Sequence, residues 1–491
     1  MKKVMTMAAA CALAFGMRPA AQTDAVKAAS DALGAANVKT LQFTASGANF
    51  SVGQNFTPSE PWPRVTVKSY TASINYDTGS MRQELVREMG TTMPRGGGAP
   101  FTGEQRQVQV VSGNFAWNMA PGPQAGAPPQ AAAAAGNAVE RMLLVWATPQ
   151  GFVKAATANH ATTKKGKGGT EVSFTVGGKY KMTGVINARN EVERVQTWID
   201  QPIVGDMLVE TVYSDYKDFG GVRFPAHIAQ SQDGFPALDL TVASVTANPA
   251  VDITVPDNVR SAQPPPVRVE SAKLADGVFY LTGGTHHSLA VEMKDHIVLV
   301  DTPQTEQRAL AVIAKAKEVI PNKPIRFVVT SHHHWDHLGG IRAAMDEGAT
   351  IVTHQSNKAF LERVAKTPHT INPDRLASSK KSLKIQTVGA KGVLTDGTRT
   401  VELHLLTNYE HTGDMLVVYL PKEKILAEPD AYTSPATPTT PLVVTAVPYA
   451  AALYDNIQRL KLDVQTIAPF HGGRTTTVAE LAKSAGKGGA N

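Results

Sequence analysis

Ser331-His332-His333-His334-Trp335-Asp336-His337-Leu338-Gly339-Gly340 follows directly on Ile325 to Thr330, a mostly apolar run broken only by Arg326. Such a run reads as a strand largely buried on both faces, so the loop that leaves it starts from a rigid end. Alternate residues His332 and His334 can turn toward one point, and adjacent Asp336 and His337 toward a second one nearby. Imidazoles and a carboxylate suit zinc and other divalent transition metals, and so many ligands left unpaired in a core would cost too much solvation. Two ions can share this loop. By the same alternation His333 points away from the ions, and Trp335 packs beneath the loop.

Working outward, 12 of the 14 histidines lie at or beyond His286. Completing two sites takes three more ligands, and His411, Asp430 and His471 each stand just past a strand candidate: Val401 to Leu406, Ile425 to Ala427 and Gln465 to Ala468. Loops of an α/β frame build sites there. Glu428 competes with Asp430 as the carboxylate. The surrounding pattern alternates short strands (Val278 to Thr282, Leu289 to Met293, Ile297 to Asp301, Thr350 to Thr353, Met415 to Leu420) with helical spacing at Gln304 to Ile320, Gly340 to Glu347, Asn357 to Ala365 and Ala450 to Leu462. This is a layered α/β domain.

The pattern His332-x-His334-x-Asp336-His337, with His411, Asp430 and His471 following in order, resembles the metallo-β-lactamase fold superfamily over about residues 269 to 479. The resemblance implies an αββα sandwich and two divalent metal ions, most simply zinc. It implies that His332, His334 and His411 hold the first ion, that Asp336, His337 and His471 hold the second, and that Asp430 bridges them; Ala431-Tyr432 after Asp430 favours it over Glu428. A bridging hydroxide would serve as nucleophile, since coordination lowers the pKa of water from about 15.7 toward roughly 7. Asp336 is then the catalytic candidate for orienting that hydroxide and passing a proton, and Tyr432 the candidate donor to the developing oxyanion. His286 and His287 fall on the hairpin that borders the pocket in this superfamily, one of them as a candidate substrate contact.

The expected reaction is hydrolysis of a lactone, ester or amide bond in a small, moderately apolar molecule, because the run Thr433 to Tyr449, placed to cap the pocket, is short of charge. A β-lactamase is weakened by Asp430 standing where cysteine or serine is usual and by the missing substrate-carboxylate lysine. Phosphodiesterase and thioesterase are the other enzymatic readings. A noncatalytic, metal-stabilised periplasmic binding protein is the alternative from outside enzymology, against which seven ligand candidates argue for an open dinuclear centre.

The remaining sequence is of another kind. A chain of 491 residues is too long for one core, and Pro264-Pro265-Pro266 marks a spacer, giving a β-rich domain over 30–262 and a catalytic domain over 269–491. Strand candidates in the first are Lys39 to Phe43, Val65 to Ile74, Gln107 to Val111, Phe152 to Ala158, Glu171 to Val176, Lys179 to Val185, Glu191 to Trp198 and Asp239 to Val245; Ala132 to Val145 reads as a helix, and Pro94 to Phe101 and Ala120 to Gly136 as loops. Through Arg189 to Tyr216 it faintly resembles the half-barrels of periplasmic lipoprotein carriers. Three roles stand open for it: binding an apolar ligand, shaping the substrate entrance, or dimerisation.

Lys2 and Lys3 before the apolar run Val4 to Met17, with Ala20 and Ala21 after it, lay out a signal peptide over 1–21 and predict a periplasmic or secreted protein. Cys11, the only cysteine, would leave with that leader. No later run predicts stable membrane insertion, and the +6 net charge is scattered, which argues against nucleic acid and leaves a small-molecule substrate as the expected partner.

Overall fold

The computed structural model describes residues 23–90, 94–98, 100–122, 127–437 and 447–487. The leader, Cys11 and the middle of the charge-poor run after Thr433 lie outside the described residues.

The N-terminal part is built on one antiparallel sheet of 13 strands. Its chain order is circular. The strands from Thr40–Phe50 to Gln130–Ala133 step outward to one edge, and those from Thr162–Gly166 to Phe235–Ala247 step back from the other, so that first and last strands pair at the centre. Two helices, Ala138–Ala147 and Pro149–Ala158, join the halves. The second corrects the strand expected at Phe152 to Ala158: Pro149 occupies the first helical turn, where its missing N–H costs nothing, and Phe152, Val153, Ala155 and Ala156 form one buried face. That face and Leu143 and Val145 pack with Phe43, Ile74, Met182 and Phe224 of the sheet. A cavity of about 240 Å³, walled partly by Tyr70, Leu144 and Phe224, remains between them. The strand Gln130–Ala133 falls where a loop was expected, and the lysine cluster at 164–167 lies on an exposed edge hairpin.

The C-terminal part has four layers, and residue alternation explains them. Its seven-stranded and five-stranded sheets face each other through Val298, Val300, Val329 and Val352 on one side and Leu403, Leu416, Val418 and Ala427 on the other. The intervening residues Leu299, Val328 and Ile351 point outward to helices Glu306–Val319, Ile341–Glu347 and Lys358–Lys366. Val417, Tyr419, Leu426 and Ile467 point the opposite way, to helices Val447–Leu460 and Val478–Ser484. This is the αββα sandwich the motif implied. The strands Glu270–Ala275, Lys384–Val388 and Lys391–Thr395 had no clear sequence signal, being largely exposed.

The two parts are packed together rather than strung on a linker. One apolar cluster runs through both, Arg363 grips both oxygens of Asp233 at 2.9 Å, and Asp206 accepts from the backbone N–H groups of Thr370 and Ile371.

Candidate metal centre

The chemistry-bearing residues gather at the C-terminal ends of strands from both sheets. Strand Ile325–Val329 delivers the loop with His332, His334, Asp336 and His337; strand Thr400–Leu405 leads to His411, Ile425–Glu428 to Asp430, and Thr466–Pro469 to His471. Gly339 lets the loop close against the next helix, since a Cβ there would sit 1.8 Å from the Gln304 carbonyl oxygen.

Two groups of side chains lie close enough to hold a metal ion: His332, His334, His411 and Asp430, and His286, Asp336, His337 and His471. Asp430 touches both. Its Oδ2 lies 3.0 Å from Nε2 of His332 and of His411 and 3.2 Å from Nε2 of His337, while Oδ1 lies 2.7 Å from Nε2 of His471. The imidazoles of the first group are closed to solvent, whereas 34% of the Asp336 side chain and 24% of His471 remain exposed, so the centre opens on the second group's side.

The hydrogen bonds behind the rings show what the front nitrogens can do. A carbonyl oxygen only accepts, so the Asn55 carbonyl at 2.8 Å fixes the proton of His334 on Nε2, and the Gly97 carbonyl at 2.5 Å fixes that of His411 on Nδ1. Ser331 Oγ donates to Asp301, which leaves it to accept from His332 Nδ1; Asp301 Oδ2 accepts from His337 Nδ1 at 2.8 Å. In the neutral rings, His334 Nδ1 and His411 Nε2 therefore face each other with lone pairs at 3.0 Å, beside the Asp430 carboxylate. His332 Nε2 is fully buried and makes no well-aligned hydrogen bond, although Asp430 Oδ2 lies 3.0 Å away. Converging lone pairs and an orphaned buried nitrogen are what a cation site requires, and the donor set suits a divalent transition metal.

Electrostatics agree. Burial and neighbouring imidazoles lower the pKa of His332, and in the same way hold His334 well below the ordinary value, keeping both neutral. Burial opposes charge on His337, but Asp430, Asp301 and Asp336 outweigh it and raise its pKa well above the usual imidazole value. Burial likewise disfavours an ionised Asp430, yet His337, His471 and His411 hold it well below the carboxylate range. The centre attracts positive charge.

The residues read from sequence part company here. His332, His334, Asp336, His337, His411, Asp430 and His471 come together. Tyr432 does not: its hydroxyl accepts from Ser484 Oγ at 3.2 Å within an apolar cluster, and it makes no hydrogen bond to the centre among the described residues. Glu428 instead accepts the backbone N–H groups of Ala431 and Tyr432, capping the turn that carries Asp430. His333 is buried between Asp414 and Asn55. His286 Nε2 lies 3.1 Å from Asp336 Oδ2, inside the second group, and His287 binds the Gly472 carbonyl beside His471. Trp335 packs edge-on against Trp62 of the N-terminal part. Asp301 and Asp414 went unread, although Asp301 carries the same signal as Asp430, a carboxylate just past a buried apolar strand.

The family model for the metallo-beta-lactamase superfamily matches residues 281–471. This C-terminal region belongs to that superfamily. The metallo-beta-lactamase region thus spans every member of the two side-chain groups. Among solved structures, a metallo-beta-lactamase from Pontibacter korlensis is similar at 22% identity over 45% of this chain and 98% of its own, with a TM-score of 0.34. The DIM-1 metallo-beta-lactamase is similar at 20% identity over 45% and 96%, with a TM-score of 0.33. Comparison with curated proteins gives no match. No described helix is long and apolar enough to cross a membrane.

Proposed function

We propose that the protein is a dinuclear, zinc-dependent hydrolase, exported to the periplasm or beyond, acting on a lactone, ester or amide bond of a small, moderately apolar molecule. The observation that carries this reading is the pair of ligand groups meeting at Asp430, with imidazole lone pairs converging and one side open. His332, His334 and His411 would hold the first ion, Asp336, His337 and His471 the second, and Asp430 both. Divalent ions bound there supply Lewis acidity and bring the pKa of water from about 15.7 toward roughly 7.

The chain's own residues do the rest. Asp336 orients the attacking water and relays its proton toward the leaving group; its Oδ1 is held by Gln54 and its Oδ2 faces His286, so its reacting direction is fixed. Tyr409 and Tyr449 set their rings 5.7 and 5.5 Å from that of His411, which gives the first group an aromatic flank and favours a partly apolar substrate. With its hydroxyl committed to Ser484, Tyr432 is a wall residue in this reading.

The test is a hydrolysis panel of lactones, esters, amides, β-lactams, thioesters and phosphodiesters on zinc-replete protein, with Asp336→Asn and His411→Ala beside it. Turnover of a lactone, ester or amide that falls at least 100-fold in both variants is expected. Turnover confined to phosphodiesters or thioesters overturns the substrate class, and protein that takes up no metal overturns the mechanism.

A further inference from the structure

Three connections cross from the N-terminal part to the back of the metal centre. Gln54 Nε2 donates to Asp336 Oδ1 at 2.8 Å, the Asn55 carbonyl accepts from His334 Nε2 at 2.8 Å, and the Gly97 carbonyl accepts from His411 Nδ1 at 2.5 Å. All three come from loops attached to the 13-stranded sheet, outside the matched region 281–471. The loops are themselves locked: Gly97 N–H donates to the Gln54 carbonyl at 2.7 Å, Gly96 N–H to the Glu410 carbonyl at 2.7 Å, and Gly413 N–H to the Phe56 carbonyl at 2.9 Å. Gly53 makes the approach feasible, with φ +75° and a position where a Cβ would lie 2.5 Å from the Trp335 ring.

Ligating imidazoles need an acceptor behind the ring to fix the tautomer, and ligating carboxylates need a donor; partners of this kind commonly govern affinity by about 10–100-fold. We infer that the N-terminal β-rich part completes the metal centre: Gln54 is a positioning residue for Asp336, and the Asn55 and Gly97 carbonyls are positioning groups for His334 and His411. The sandwich alone lacks the acceptors that keep two of the first three imidazoles in ligating form. This inference rests on reading the site as a metal centre, and it gives the N-terminal part a role apart from ligand binding, entrance shaping or dimerisation.

The experiment uses the full-length chain and zinc alone. Zinc content is measured by atomic emission and affinity by competition with a chromophoric chelator, for wild type, Gln54→Ala, Gly53→Ala and, as an exposed-hairpin control, Lys164→Ala. Cobalt(II) substitution reports the ligand field of each site. Gln54→Ala is expected to keep one ion at wild-type affinity and to bind the other about 10–100-fold more weakly, with changed cobalt bands and an unaltered melting temperature of the metal-free protein. Gly53→Ala, which pushes the loop off Trp335, is expected to weaken both ions; if it fails to fold, Gln54→Ala decides alone. Wild-type affinity for both ions in Gln54→Ala, whatever its turnover, overturns the inference and leaves the proposed function standing. A wild-type chain that binds no zinc overturns both.

Discussion

Replacing Asp301 with asparagine removes one charge and almost no volume, yet the geometry makes it severe. The carboxylate is 1% exposed and accepts three hydrogen bonds: from Ser331 N–H at 2.8 Å, Ser331 Oγ at 2.7 Å and His337 Nδ1 at 2.8 Å. An amide has one accepting end. If its oxygen keeps Ser331 N–H, its NH₂ faces His337, whose Nδ1 must then give up its proton and accept, leaving the ring's one proton on Nε2, the nitrogen 3.2 Å from Asp430 Oδ2 that an ion would need free. If it turns the other way, NH₂ meets N–H. Either orientation forfeits at least one bond to a charged acceptor, about 1.5–3 kcal/mol in the metal-free protein. Wrong-tautomer His337 should weaken the second ion by about 10–100-fold, or roughly 1.4–2.7 kcal/mol. Urea unfolding of the metal-free chain measures the first loss, chelator competition the second, and ¹⁵N chemical shifts of the His337 ring read the tautomer directly. Wild-type affinity for two ions with Nε2 still unprotonated would refute the reasoning.

Three more expectations can be measured on the same preparations. Asp414→Ala strips the acceptor from His333, Thr412 and Asn357 in a closed pocket and should cost about 3–5 kcal/mol in urea unfolding. Burial opposes ionisation of Asp414, but His333 and Thr412 outweigh it and hold its pKa below the usual range. Its contribution is thus fully present above the unfolded value of about 3.9 and lost as pH falls through the folded one; wild-type stability should drop below about pH 4, and Asp414→Asn should show a shallower drop. Tyr432→Phe deletes only the bond from Ser484, so about 0.5–1.5 kcal/mol of stability should go with kcat unchanged, and a large fall in kcat would return the hydroxyl to the oxyanion. Removing metal with a chelator should lower the melting temperature, and adding zinc at about 100 times its Kd should restore roughly 2.7 kcal/mol; a melting curve indifferent to zinc would contradict the centre.

Sequence disclosed the two side-chain groups because their members are local where they matter most. His332 to His337 sit on one turn of chain after one buried strand, so type and spacing carry the message without any knowledge of the fold. His411, Asp430 and His471 were legible for the same reason, each standing two to six residues past a strand end. What stayed hidden was nonlocal. Gln54 reaches Asp336 across 282 positions, and nothing in Val52-Gly53-Gln54-Asn55 marks it as a partner for a carboxylate. The helix at Pro149–Ala158 was misread because six of its residues are buried after Pro149, and a short run so apolar has no periodicity to separate helix from strand. Tyr432 shows the opposite case: adjacency in sequence to Asp430 suggested a place at the site, while its hydroxyl meets Ser484.

The circular strand order has a consequence for how the molecule is made. Thr44 and Ser244 meet at the middle of the large sheet though 200 residues separate them, so a ribosome must finish almost half the protein before that seam can zip. Until then two antiparallel meanders wait with open inner edges, and pairing at such range is slow. The loop bearing Gln54 hangs from the very strand that waits longest, which makes closure of the loop over Asp336 a late event in the life of each new chain.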